Sequence, residues 1–336
     1  MTLRRALLLV ASFTLSIFLI VLLVKITKID IWATVRQVLA ASRVSFLKLA
    51  VLTGLHIYLA NEKWRAVDAV MRSPSDSVPP QSLSFALTSV GATLGQLLPV
   101  QLSMSVVRTL GTYFYGKALK RGTVGTLFEQ SFDIVIVVFL AVASAATTLF
   151  NGGQLVWFVS ATIMLALAML SVGLLVQLAN RIATSYSGNA ALPTLGNAIL
   201  RKFSEMQYSG LLRLGLARRL LVLSALRFVV QVFMAKQAAE AIGAHIALWQ
   251  LAAALPFVVI ACVIAITPGG LGVNEVTYAT SLHLFGTPLS VGAQWAIANR
   301  FLVAASCSVI AICAAGIVLV KKIATSSGHD VMQEGQ

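Results

Sequence analysis

The sequence predicts an all-α, polytopic integral membrane protein with about seven to eight transmembrane helices and two re-entrant or broken helical hairpins. Of its 336 residues, 58% are hydrophobic and 11% are charged, with a mean hydropathy of +0.90. That composition excludes an ordinary soluble domain. Several apolar segments approach the ~20 residues that a transmembrane helix requires. Two of them are interrupted by helix-breaking sequence, around Pro99 and over residues 267–275.

The net charge of +14 comes from basic residues at the ends of the apolar segments, which is typical of membrane topology. We therefore expect no nucleic-acid partner. The three cysteines lie in apolar runs, and the four histidines have no ligand spacing, so we expect neither a metal nor a cofactor. No dinucleotide-binding, Walker or metalloprotease motif is present.

The first two predicted spans cover residues 6–24 and about 46–60. Residues 25–48 between them have apolar side chains near helical spacing, which predicts an amphipathic helix on the membrane surface. A plain loop is the alternative. The second span ends at Glu62, Lys63, Trp64 and Arg65, residue types that favour the membrane interface.

The first predicted hairpin comprises residues 82–98 and 100–116, with Pro99 near its tip. Both arms are short for a full crossing, and Gly91 and Gly95 allow close helix contact. Two thin transmembrane helices are the alternative. A long span over 124–150 follows and carries Glu129 and Asp133, which are four residues apart and so share a helix face.

The remaining predicted spans are 155–178, 220–241, 248–266 and 293–320, and a helix over 271–285 precedes the last of them. We predict a single domain over 1–325, with halves at about 1–178 and 220–322. A polar, basic connection over 180–219 joins the halves on the cytoplasmic side, and 326–336 form a polar tail. Most lysines and arginines lie in segments that are cytoplasmic if the N terminus is inside. This predicts a bacterial cytoplasmic (inner) membrane protein with both termini in the cytoplasm.

The second break, residues 267–275, contains one proline and three glycines and ends at Glu275. These residues cannot continue a lipid-facing helix, and unpaired backbone in hydrocarbon is tolerated only in a protein interior or beside water. We interpret the stretch as a broken helix beside a polar cavity. The alternative is a sharp turn between two helices, with Glu275 at its wet end.

Eight ionisable residues lie within the apolar segments: Arg108, Arg227, Lys236, Arg300, Glu129, Asp133, Glu240 and Glu275. Each costs ~2.5–3.5 kcal/mol at a helix centre, so most must pair or line water. Four structural salt bridges are one interpretation, which we prefer for Lys236 and Glu240. The arginines also suit phosphate, because the guanidinium is a planar fork.

The two breaks correspond in layout. Pro99 is followed by Arg108 and then by Glu129 and Asp133 in the next span, whereas Pro268 is followed by Glu275 and then by Arg300. Paired interrupted segments in two halves indicate a transporter-like site between repeats. The predicted substrate-binding residues are Arg108, Glu129, Asp133, Arg227, Pro268, Gly269, Gly270, Gly272, Glu275 and Arg300. No catalytic residue and no metal ligand is predicted.

Three motifs, at 98–108, 128–133 and 267–275, and Lys63-Trp64-Arg65 resemble the lysylphosphatidylglycerol synthase transmembrane-domain family. The resemblance implies a flippase-like protein that moves lipids, including aminoacylated phospholipids and lipid-linked glycans or isoprenoids. The family's motif positions carry over to Pro99, Arg108, Glu129, Asp133, Gly269, Gly270, Gly272 and Glu275. In this chain Val100, Ser103, Met104 and Ser105 stand where the first motif usually has glycines and an acid.

These observations predict a lipid translocase that moves a phosphate-bearing lipid or lipid-linked intermediate between membrane leaflets. One alternative is a membrane-embedded transferase on a lipid-linked substrate, with Glu129 and Asp133 as its acids. Another is a non-catalytic partner of a lipid or cell-envelope biosynthesis enzyme, with 180–219 as the docking surface.

Overall fold

The computed structural model describes residues 3–72, 78–98, 100–116, 119–185, 210–211, 213–264 and 267–333. Pro99, at the predicted tip of the first hairpin, and residues 186–209 of the predicted connection lie outside them. The described residues form eleven α-helices and no strand. They are α1 (Leu3–Thr27), α2 (Ile31–Leu39), α3 (Arg43–Met71), α4 (Gln81–Leu94), α5 (Val100–Gly116), α6 (Leu119–Leu149), α7 (Gln154–Ser185), α8 (Leu214–Ala241), α9 (Leu248–Ile264), α10 (Val273–Leu284) and α11 (Leu289–Gln333), with a 3-10 turn at Pro268–Gly270.

Four helices, α3, α6, α7 and α11, are long and apolar enough to cross a membrane. α1 and α2 together make a fifth if the bent pair is taken as one span. α8 has 28 residues but includes Arg218, Arg219, Arg227, Lys236 and Glu240, so its charge separates it from the other long helices. The predicted all-α, polytopic membrane class is confirmed.

α1 and α2 meet at an angle of 97°. Lys28 has a φ of 55° at the bend, and the Asp30 side chain caps α2 by accepting a hydrogen bond from the Ala33 amide. The helix predicted between the first two spans is thereby confirmed. Trp32 is 76% exposed on it, as an aromatic residue at a membrane surface would be. Its position on that surface stays a prediction.

The second span is longer than predicted. α3 continues past residue 60 to Met71, because nothing in 61–71 breaks a helix. Lys63 and Trp64 are 0% and 1% exposed, so both side chains lie inside the protein, and their position at the level of the membrane interface stays a prediction. Carboxylates from α6 compensate the Lys63 charge inside the protein, so the ammonium group needs no contact with water.

Two hairpins of short helices are confirmed. In the first, α4 and α5 run antiparallel, since Gly91 packs on Met104 and Gly111 on Leu87. α4 has 14 residues and is about 21 Å long, less than the ~30 Å of bilayer hydrocarbon. In the second, α9 has 17 residues and α10 has 12, and the turn at Pro268–Gly270 lies between them.

The hairpins belong to two sets of helices with the same order, α3–α6 and α8–α11, which we call the two repeats. Each repeat is a long helix, a short-helix hairpin and another long helix. α3 and α8 pack antiparallel, because His56 contacts Arg227 and Glu62 contacts Arg219. α4 packs on α11 just as α9 packs on α6, so each hairpin's first arm contacts the last helix of the other repeat. Each repeat therefore packs one arm of its hairpin against the other repeat.

Candidate functional site

A cavity of about 280 Å³ lies between the two repeats, and all helices from α3 to α6 and from α8 to α11 contribute to its wall. Most of the wall is apolar. The polar and charged residues of the wall include His56, Gln96, Glu129, Gln130, Asp133, Ser224, Arg227, Gln231, Asn274, Asn299 and Arg300. They come from both repeats, so the cavity forms only when the repeats assemble.

A chain of alternating charges extends from the protein interior to this cavity; we call it the first charge cluster (Arg108, Glu129, Lys63, Asp133 and Arg227). Arg108 Nη1 donates to Glu129 Oε1 at 2.7 Å, and Lys63 Nζ donates to Asp133 Oδ1 at 2.6 Å. Lys63 Nζ is also 3.5 Å from Glu129 Oε2. Arg227 Nη1 donates to Asp133 Oδ2 at 2.5 Å and is the last member of the cluster.

Burial divides this cluster into an inner and an outer part. The side chains of Lys63 and Arg108 are fully buried, and Glu129 is 2% exposed. Asp133 and Arg227, at 22% and 17%, are the members most accessible from the cavity. The inner part fastens the first hairpin to α3 and α6, whereas the outer pair is available to a ligand.

Local helix geometry explains how these side chains meet. Glu129 and Asp133 are one turn apart on α6, and His56 and Lys63 are two turns apart on one face of α3. The Ala60 carbonyl between them accepts a bond from Arg108 Nη2 at 3.1 Å. The Arg108 guanidinium also lies 5.0 Å from the centre of the Trp64 ring, a cation–π contact.

The second charge cluster is Glu275 and Arg300, and it joins the two hairpin tips. Arg300 Nη1 donates to Glu275 Oε1 at 2.9 Å. Arg300 Nη2 donates to the carbonyl of Gln96 at 2.9 Å and to that of Gly269 at 2.8 Å. Gln96 follows α4 and Gly269 precedes α10, so one guanidinium connects both tips to α11.

The glycines of the second break have specific steric roles. Gly269 has a φ of 56°, and a Cβ there would lie 2.5 Å from the Gln96 carbonyl oxygen. Gly272 has a φ of 80°, and a Cβ there would lie 2.7 Å from the Ser16 carbonyl oxygen of α1. The Gly272 amide donates to Glu275 Oε2 at 2.6 Å, so Glu275 caps the start of α10.

The structure brings six of the predicted site residues to the cavity wall: Glu129, Asp133, Arg227, Gly269, Gly270 and Arg300. Arg108, Pro268, Gly272 and Glu275 lie behind the wall and support it. All eight intramembrane ionisable residues are paired, as the salt-bridge interpretation expects. The Lys236–Glu240 pair, at 3.6 Å, is partly exposed and away from both clusters.

Sequence reasoning missed Lys63 and His56 as members of the site. The available signal was their spacing of seven residues, which places both on one helix face. His56 Nε2 accepts a hydrogen bond from Arg227 Nε at 3.2 Å, so this ring nitrogen acts as an acceptor. The acid that the first motif lacks near Arg108 is supplied by Glu129, 21 residues away.

The two clusters are not electrically balanced. They contain four cations, Lys63, Arg108, Arg227 and Arg300, against the three carboxylates of Glu129, Asp133 and Glu275. An uncompensated positive charge inside an apolar protein is costly unless an anion or water faces it. The cavity can therefore accept an anionic group. Among the described residues, no three His, Cys, Asp or Glu side chains are grouped so that they could hold a metal.

Comparison with known proteins gives a family match. The family model for the lysylphosphatidylglycerol synthase TM region matches residues 9–314, nearly the whole chain. No curated protein and no solved structure matches the chain. The matched region includes both hairpins, both charge clusters and the cavity between them. This integral membrane protein therefore belongs to the family of the lysylphosphatidylglycerol synthase transmembrane region.

Proposed function

We propose that this protein moves a phosphate-bearing lipid or lipid-linked intermediate between the two leaflets of the membrane. The headgroup occupies the central cavity, where its phosphate compensates the one excess positive charge of the two clusters. This charge imbalance is the observation that carries the proposal. Membership of the family supports the proposal only in that the family is one of membrane domains.

Arg227 and Arg300 are the residues that would bind the phosphate. Both line the cavity, and their side chains are 17% and 14% exposed. A guanidinium forms charge-assisted and bidentate hydrogen bonds with phosphate oxygens, and these are stronger in a water-poor cavity than in solution. Asp133 and Glu275 hold the two guanidinium groups in place, since each carboxylate accepts from one of them.

The two repeats favour translocation over chemistry on the lipid. Broken helices that meet near the centre of two inverted repeats suit a site that is reached alternately from the two sides. Both repeats line the cavity, and they contact each other through α4 on α11 and α9 on α6. Rocking of one repeat against the other would then expose the same cavity to either leaflet.

We expect purified protein in lipid vesicles to move a labelled phospholipid across the bilayer without changing its mass. Arg227→Gln should reduce the rate by about 10-fold or more, because a hydrogen bond to a charged group contributes ~1.5–3 kcal/mol. Lys236→Gln, on the same helix but in the exposed pair, is the matched control and should leave the rate unchanged. A covalently changed lipid whose formation needs Glu129 and Asp133 would instead identify a transferase.

We further propose that the protein resides in a bacterial cytoplasmic membrane with both termini in the cytoplasm, as the distribution of basic residues favours. The turn after α6 would then face outward. Gly153→Cys tests this, because a Cβ at that position meets no atom within 4 Å. In a background without Cys262, Cys307 and Cys313, we expect an impermeant thiol reagent to label it from outside the cell. Labelling only from the cytoplasmic side would reverse the topology.

A further inference from the structure

A second cavity, of about 90 Å³, lies between α6 and α9; we call it the side crevice. Every side chain that lines it is valine or isoleucine. Four of them, Ile134, Val137, Val259 and Val263, also line the central cavity, so the two spaces share a wall. The two adjoining spaces therefore differ in chemistry, since the central cavity is lined by charged and apolar side chains and the side crevice only by aliphatic ones.

The side crevice leads to the outer surface of the protein. Val138 and Ile264 also line it, and they are 45% and 74% exposed on the apolar surface that faces lipid. Ile134, which lines both spaces, directly follows Asp133 of the first charge cluster in the sequence. A molecule that filled both spaces would have an anionic group beside Arg227 and a hydrocarbon part between α6 and α9.

The repeat-related contact on the other side differs. There α4 packs on α11, and the Arg300 hydrogen bond to the Gln96 carbonyl holds the two together at 2.9 Å. α6 and α9 also pack together, but they leave the side crevice between their aliphatic side chains.

We infer that one hydrocarbon chain of the substrate lipid lies in the side crevice, between α6 and α9, while the headgroup occupies the central cavity. This inference rests on the proposed translocation of a lipid and specifies its route. A polar group would lose its hydration in the crevice without gaining a hydrogen bond, whereas a hydrocarbon chain loses nothing there. The aliphatic lining suits a segment of one chain and offers no hydrogen bond to a headgroup.

Photo-crosslinking tests the position of the chain. The probe is a phosphatidylglycerol with a photoreactive diazirine in the middle of one acyl chain, and the control is the diacylglycerol with the same chain and no phosphate. We expect crosslinks from the phospholipid to peptides of α6 and α9 around Val138 and Ile260, several-fold more than from the control. Equal crosslinking by the two lipids would overturn the inference, because the crevice would then collect any surrounding lipid.

Val138→Trp tests the same route by filling it. The control is Leu170→Trp, which adds the same indole at a 60% exposed position on α7. We expect Val138→Trp to reduce phospholipid translocation by about 10-fold, while binding of soluble glycerol phosphate, measured as a shift in melting temperature, stays as in the wild type. Leu170→Trp should change neither quantity.

The outcomes separate the two proposals. If the wild type neither moves phospholipid nor binds glycerol phosphate, the proposed function fails. If it does both and Val138→Trp moves phospholipid at the wild-type rate, the proposed function stands and the route between α6 and α9 is wrong. If Val138→Trp does not fold, the crosslinking comparison between the phospholipid and the diacylglycerol decides whether the acyl chain lies between α6 and α9.

Discussion

Glu129→Gln is expected to destabilise the protein by about 3–5 kcal/mol, the cost of removing one partner from a buried ion pair. Glu129 is 2% exposed and faces two cations that are fully buried. Arg108 would keep only neutral acceptors, the carbonyl of Ala60 and the hydroxyl of Thr88. Lys63 would keep Asp133, so the uncompensated charge falls on Arg108. The free energy of unfolding, measured in detergent or nanodiscs, tests this.

Two further variants distinguish a buried pair from a surface pair. Glu240→Gln removes a carboxylate of the same kind from the exposed pair with Lys236, so its effect should stay below about 1 kcal/mol. Arg108→Met combined with Glu129→Leu removes both buried charges and should be more stable than Glu129→Leu alone. A double variant less stable than the single one would show that Arg108 has another essential partner.

The broken segments were predictable because their signals are local. Pro268, Gly269, Gly270 and Gly272 exclude a continuous helix whatever surrounds them. The pairing of the intramembrane charges was also predictable in outline, since hydrocarbon leaves an isolated ion few alternatives. The sequence thus indicated that ion pairs exist and where the backbone breaks.

The partners themselves were not predictable, because they depend on long-range packing. Lys63 and Trp64 have the composition of a membrane interface, and only the carboxylates of α6 make burial of Lys63 favourable. The contact of Arg300 with Gln96 is still less visible, since its acceptor is a backbone carbonyl that any residue carries. Sequence patterns report side-chain chemistry and do not show which carbonyl lies within reach.

Contact between the hairpin tips depends on Gly269, and Gly269→Ala should therefore have a large effect on translocation. At a φ of 56° an alanine costs ~1–2 kcal/mol of backbone strain, and its Cβ would lie 2.5 Å from the Gln96 carbonyl oxygen. The obstructing atom is backbone, so the tips must move apart. That movement weakens the two hydrogen bonds that Arg300 Nη2 donates to the tips, to the Gln96 carbonyl at 2.9 Å and to the Gly269 carbonyl at 2.8 Å.

We expect Gly269→Ala to reduce phospholipid translocation by roughly 10- to 100-fold, since a lost hydrogen bond to a charged group corresponds to ~1.5–3 kcal/mol. Gly243→Ala is the matched control, because Gly243 has a φ of 73° but no atom within 4 Å of an added Cβ. It carries the same backbone strain and should keep the wild-type rate. Arg300→Lys keeps the charge opposite Glu275 but removes the fork, so it should resemble Gly269→Ala. If Gly269→Ala instead behaves like Gly243→Ala, only backbone strain matters at this position, and the joined tips have no part in moving the lipid.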